Sequence, residues 1–391
     1  MCHKNFGMMI STRFSHQITI VVIAWFIIGW NVSVSALPFG EKQGLFGICK
    51  PTDLTGVIAI RGGADAVINR TDYNITSADI KILEEELKRC NGEIIDPHLH
   101  ISQWFTNGKE LADGLAESNI TYGILYNPYP KIELPFDMNE YVYSIASSSG
   151  GKVLCLASLN TTHDNWEEHR DFELERLRTY LGKDGVLGAK LAPPHTCLPL
   201  NSPIIDDVVE TLHNSDKKLL AIHIGTTPFC GPLGKQFGVK CLCTEEYVNP
   251  RLIERHIRNY PDVTFALLHC GHEFLPSDSP CYYDFKYADE CIAMAKQYSN
   301  VYVSMSALFA QHPDGTLKYP GGAQLVKRMK DAGIAHKVFW GSDAAARKAE
   351  IRPVLITAIK AMIDAGFTEE ERTWSLNGCT RKVFGLPKQS T

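Results

Sequence analysis

Short apolar runs alternate with amphipathic stretches along most of this chain. The runs fall at 94–98, 120–125, 153–158, 186–191, 219–223, 264–268, 301–304 and 338–341. They are brief and rich in Val, Ile, Leu and Ala, as buried strands are. Between them, helical spacing covers 137–148, 166–181, 204–215, 250–259, 284–298, 321–332 and 350–365. Pro261-Asp262 and Ser299-Asn300 punctuate helix ends just before strands. Eight strands alternating with helices predict an α/β fold of the (β/α)8 TIM-barrel type. An open doubly wound sheet is the competing arrangement, but no Gly-rich phosphate loop follows an early strand. No internal repeat or low-complexity tract is evident.

The pattern before residue 93 is different. Lys4, Arg13 and His16 precede an apolar core from Ile18 to Trp30, and small residues lead up to Ala36. That layout predicts a secretory signal peptide over 1–36, cut after Ala36. The core is short for a membrane span, and an uncleaved anchor is the alternative. Residues 37–92 then read as an extension packing on a barrel of 93–391. Leu37-Pro38-Phe39-Gly40 and Gly62-Gly63 are irregular. Ala78–Lys88 has a helical stripe of Ile80, Leu83 and Leu87, with Ser77 placed to cap it.

Composition narrows the partners. The chain has 391 residues, 45% hydrophobic and 21% charged, which suits one globular enzyme domain. Its net charge is −5 with both signs interleaved, so no basic surface for nucleic acid or lipid is expected. A small-molecule substrate is the expected partner, with no membrane contact once the signal is cut; a homodimer is allowed. Of twelve cysteines only Cys2 precedes the proposed cut. Disulfides fit an exported protein, and the odd mature number leaves one thiol free or paired between chains. Cys49 and Cys90 are placed to staple the extension, and Cys230, Cys241 and Cys243 cluster in one loop. Cys241-x-Cys243 lacks the spacing and second pair of a structural zinc site. Asn69, Asn74, Asn119 and Asn160 each begin an Asn-x-Ser/Thr sequon, so a glycoprotein is expected if the chain is exported to a glycosylating compartment.

Metal-capable side chains end several of the predicted strands. His98 and His100 share one face of a strand, because alternate strand residues point the same way. Two such imidazoles can reach one ion. His223 ends the fifth predicted strand as a third nitrogen ligand, and Asp343 supplies oxygen as ligand and proton acceptor. Asp96 either bonds locally or supports a ligand histidine. His269 follows the sixth strand and suits an acid, base or oxyanion-stabilising role, although a second metal is also open to it. Lys190, Arg347 and His272 are candidate substrate contacts. Lys190 is suited to a substrate carboxylate, or as a carboxylated side chain bridging two metals. Cys270 has no dedicated base and is not expected to be a nucleophile.

Asp96-Pro97-His98-Leu99-His100, Gly188-Ala189-Lys190-Leu191, His223-Ile224-Gly225, His269-Cys270-Gly271, Phe339-Trp340-Gly341-Ser342-Asp343 and the stretch from Asn377 to Leu386 form a specific set. Together they resemble the amidohydrolase-related branch of the metal-dependent amidohydrolase superfamily, over about residues 93–387. The resemblance implies one divalent ion, zinc foremost and manganese as alternative. It matches His98, His100, His223 and Asp343 to metal positions, and His269 to a histidine used beside the metal. That branch contains hydrolases of amides and lactones and non-oxidative decarboxylases of aromatic or unsaturated acids. Hydrolysis of an amide, lactone or ester by metal-activated water is the leading expectation. Decarboxylation of a small aromatic or unsaturated acid is the second. An inactive secreted barrel acting as a binding protein is the third. The export signal, the cysteines and the long extension depart from familiar cytosolic members.

Overall fold

Each predicted strand appears within a few residues of its expected bounds. In chain order they are β1 (Ile95–His100), β2 (Tyr122–Leu125), β3 (Val153–Ala157), β4 (Val186–Leu191), β5 (Leu219–Gly225), β6 (Thr264–His272), β7 (Val301–Ser304) and β8 (Val338–Phe339). A ninth, β9 (Ala344–Ala345), follows β8 after four residues. This computed structural model describes residues 75–387 apart from 102–106, 128–136, 162–164, 229–242, 276, 280, 313 and 346–347. The signal-like segment, most of the extension, Cys49, Cys230, Cys241, Asn69, Asn74 and Arg347 lie outside the described residues.

All ladders are parallel, in the order β8-β7-β6-β5-β4-β3-β2-β1-β9. Because β8 and β9 belong to one short run of chain, the pairing of β9 with β1 closes the sheet on itself. The result is the (β/α)8 barrel that the alternation predicts. Its eighth strand is broken, not continuous to 341 as the apolar run suggested. The Trp340 N–H leaves the ladder for the Ser375 carbonyl (3.0 Å), and Asp343 takes a left-handed conformation with φ 61°. The Asp343 N–H then bonds the His98 carbonyl (2.9 Å), which bridges the break.

Alternation along the strands fills the interior. Leu219 and Ala221 of β5, Ala266 and Leu268 of β6, Tyr302 and Phe339 join one buried cluster. Val383, the last residue of the final helix, and Phe384 just after it enter the same cluster, with Phe384 edge-on to Phe339 at 5.8 Å. Apolar packing thus occupies the end where strands begin. By the same parity, the ends of β1 and β5 deliver imidazoles to the opposite end.

The helix Ser77–Arg89 forms where its stripe predicts, but Thr76 and not Ser77 caps it. Thr76 Oγ1 accepts the Asp79 N–H while the Asp79 carboxylate accepts the Thr76 N–H, a reciprocal pair that Ser77 is one residue too late to make. Glu86 of this helix binds Arg372 at 2.7 Å and so ties it to the C-terminal helices. Among the described residues no helix is long and apolar enough to cross a membrane.

Candidate metal centre

His98 and His100 project from the C-terminal half of β1. Pro97, just before His98, lacks an N–H for the ladder, and the β1–β2 register shifts between Asp96 and Leu99. Asp343 sits in the break between β8 and β9. Its Oδ1 lies 2.8 Å from His98 Nε2 and 2.9 Å from His100 Nε2. The three ligand atoms are all within 4.8 Å of one another. Two local features bring the strands this close. A Cβ on Gly341 would stand 3.0 Å from the His98 Cβ, so a side chain there would require His98 to give by a few tenths of an ångström. Asp96 Oδ1 accepts the N–H groups of both His98 (3.2 Å) and Ser342 (3.0 Å). Asp96 therefore fastens the two ligand-bearing segments by their backbones, without bonding a ligand ring.

Lys190 ends β4 fully buried. Its Nζ lies 3.3 Å from His98 Nε2 and 3.4 Å from the centre of the Tyr126 ring. Among the described residues no carboxylate is within ion-pair distance of it. His223 is buried on β5, and its Nε2 lies 3.1 Å from the Thr226 carbonyl. A carbonyl only accepts, so Nε2 carries the proton there. The structure gathers His98, His100 and Asp343 but leaves His223 outside that triad, with its ring 4.2 Å from that of His269. The His269 ring also lies 5.0 Å from His98. His272 is buried at the end of β6, edge-on to Phe274 at 4.8 Å, and neither ring nitrogen has a hydrogen-bond partner among the described residues.

Electrostatics sort these groups. Burial opposes charge on Asp343, yet His98 and His100 beside it hold its carboxyl well below the usual carboxylate range. Burial and then the Lys190 ammonium push His98 well below the usual histidine range. Burial lowers His269 to about 4 and His272 to about 3. Burial also drives Lys190 well down, partly opposed by Asp343. At His98 the site therefore offers a neutral imidazole beside the ionised Asp343 carboxylate, the donor state that a divalent metal requires. Two imidazoles and one carboxylate on a buried rim fit zinc or manganese.

Sequence reasoning missed several neighbours. His195, on the turn Pro193–Thr196 after β4, stacks 4.8 Å from the His223 ring. Tyr126 lies 4.8 Å from His100, and Phe274 packs on both His269 (5.4 Å) and Tyr319 (4.7 Å). Their positions just past strand ends were the available signal. Cys270 is wholly buried, which agrees with its exclusion as a nucleophile.

Residues 167–386, more than half of the chain, match the model of the amidohydrolase family. No curated protein matches the sequence. Among solved structures, a TIM-barrel protein of Bordetella bronchiseptica is 13% identical with a TM-score of 0.51, covering 75% of this chain and 99% of its own. IDCase of Metarhizium anisopliae is 12% identical with a TM-score of 0.51, covering 77% of this chain and 99% of its own. At such identities the likeness is one of fold.

Proposed function

Because this chain belongs to the amidohydrolase family, we propose that it is a metal-dependent hydrolase acting on an amide, lactone or ester carbonyl of a small anionic molecule. The convergence of His98, His100 and Asp343 within 4.8 Å carries this reading. A divalent ion held there, zinc foremost, supplies Lewis acidity and makes water a nucleophile near neutral pH. His223 is assigned as fourth ligand through Nδ1, because its Nε2–H is committed to the Thr226 carbonyl; a ligand histidine commonly anchors its other nitrogen in this way. Asp343 accepts a proton at its ionised carboxylate. His269 exchanges a proton with the reacting group. Lys190, with no carboxylate at ion-pair distance among the described residues, takes up its charge with an anionic group of the substrate and holds that group against the Tyr126 ring.

Lys190 also supports a second reading. A buried amine that gains its charge with a bound anion, beside an aromatic ring, suits the carboxylate of an aromatic acid, and protonation of the carbon bearing it would release CO₂. Purified metal-replete protein should be offered lactones, esters and amides in one panel and aromatic or unsaturated acids in another. Hydrolytic product from the first panel supports the leading reading. CO₂ release with no hydrolytic product reverses the ranking.

The protein is further proposed to act outside the cytoplasm. The signal-like residues 1–36 support this, as does the placement of eleven of the twelve cysteines beyond the proposed cut. N-terminal sequencing of protein from its native cell should begin near Leu37; a chain that retains residues 1–36 contradicts cleavage.

A further inference from the structure

The end of β6 leaves regular geometry at the residue that faces the metal triad. His269, Cys270 and Gly271 are all left-handed, with φ of 65°, 47° and 67°. Gly271 has no alternative there, since a Cβ would meet the Tyr287 carbonyl at 2.4 Å. The β6–β7 ladder ends at Leu267 opposite Val303. Beyond it, side chains replace the missing strand bonds. The Ser304 Oγ accepts the His269 N–H at 3.0 Å, and lies 2.6 Å from the Ser306 Oγ. The His269 Nδ1 lies 3.1 Å from the Ser306 carbonyl and 3.2 Å from the Ser306 hydroxyl. Both serines are fully buried.

From this network we infer that the Ser304 and Ser306 hydroxyls are positioning groups that hold the His269 ring against the Ser306 carbonyl, which fixes its tautomer and so sets its direction of proton transfer. The reasoning is one of valence. A carbonyl oxygen cannot donate, so the nitrogen beside it carries the hydrogen, and that nitrogen is Nδ1. The neutral ring then presents Nε2 as a lone pair. In that form His269 cannot donate to a developing oxyanion. It first takes a proton at Nε2 from the nucleophile and afterwards returns it to the leaving group. The serine pair holds the ring by two contacts, one on the backbone N–H and one on Nδ1. Neither serine reaches the triad, so their effect passes through His269. The inference rests on His269 working at the proposed site, but the tautomer itself does not depend on the reaction.

Nitrogen NMR of zinc-loaded protein with labelled histidine tests this without a substrate, the His269 signals being assigned by their loss in His269→Gln. Wild type should show Nδ1 protonated and Nε2 unprotonated. Ser304→Ala combined with Ser306→Ala, which keeps the carbonyl at 306 but removes the hydroxyls that hold the ring to it, should release the ring and average the two nitrogens, with zinc stoichiometry unchanged. Ser304→Thr, which keeps the hydroxyl, should retain the wild-type signals and covers the case in which the double variant fails to fold. A proton on Nε2 in wild type overturns the inference, as does an unchanged Nδ1–H tautomer in the folded double variant. If a substrate from the panels is turned over, the double variant should lower kcat at least tenfold with KM within twofold. Failure of every panel would count against the proposed reaction and leave the NMR result standing.

Discussion

The two ends of the barrel treat buried polar groups in opposite ways. Where strands begin, the Lys337 ammonium, the Arg381 guanidinium and the Asn300 and Asn377 amides are satisfied, while the Ser375 and Thr380 hydroxyls have no partner among the described residues. The Lys337 ammonium donates to the carbonyls of Tyr298, Ser299 and Val301, and the Asn300 amide to those of Ile257, Tyr260 and Val263. Arg381 bonds Glu93 and Asn377, and Asn377 in turn bonds the Glu93 carbonyl. Where strands end, valences are left over. Lys190 meets an imidazole and an aromatic face, while His98 Nδ1 and both nitrogens of His272 have no partner among the described residues. Desolvating a polar group without compensation is costly, so the satisfied cations and amides at one end serve stability. Leftover valences at the other end are what a ligand can satisfy. Two lysines, both buried and both beside a tyrosine ring, thus have different work because of what surrounds their side-chain nitrogens.

The largest expected effects fall on the triad. His98→Ala should lose the metal and, with it, turnover down to background, as measured by metal analysis and the panel assay. Metal-replete Asp343→Asn should lose turnover by a factor on the order of 10² to 10⁴, the usual scale for a positioned proton-transfer group. Full activity in that variant would remove its proton-accepting role. His269→Ala should show a loss on the same scale, about 10² to 10⁴, while keeping its metal. Metal loss in parallel with activity would make His269 a ligand.

The lysines sharpen the contrast in stability. Lys337→Met strands three carbonyls and should destabilise the protein by about 2–3 kcal/mol in denaturant titration. Lys190→Met removes a buried amine that has no carboxylate partner among the described residues, and should raise stability by about 1–2 kcal/mol while weakening substrate affinity. Equal destabilisation by both would erase the distinction drawn here. A smaller effect concerns acid. His269 and His272 have folded values near 4 and 3, below the ordinary 6.5. The unfolded chain therefore binds their protons first, so their contribution is present above about pH 6.5 and is lost as pH falls toward 4. The melting temperature of metal-free protein should drop through that window, and His272→Phe should flatten the drop.

The strands were legible because burial on both faces writes them as unbroken apolar runs, and His98 and His100 because strand parity puts them together. The helix Gly108–Glu117 was not, since Gly108 and Gly114 dilute a stripe of only Leu111 and Leu115. The break after Phe339 was also hidden: it depends on the Ser375 carbonyl, which meets Trp340 only in the folded chain. His195 and Tyr126 join the site through loop placement, which leaves no periodic trace. Ser304 and Ser306 read as ordinary strand-end serines until the left-handed turn at His269 brings its nitrogens to them.

The central claim is that the triad holds one divalent ion, and anomalous diffraction at the zinc edge from metal-replete crystals tests it most directly. The account predicts a single peak per chain bonded to His98, His100 and Asp343, with His223 Nδ1 as the further protein ligand. A peak elsewhere in the chain, or no peak after repletion, would contradict it.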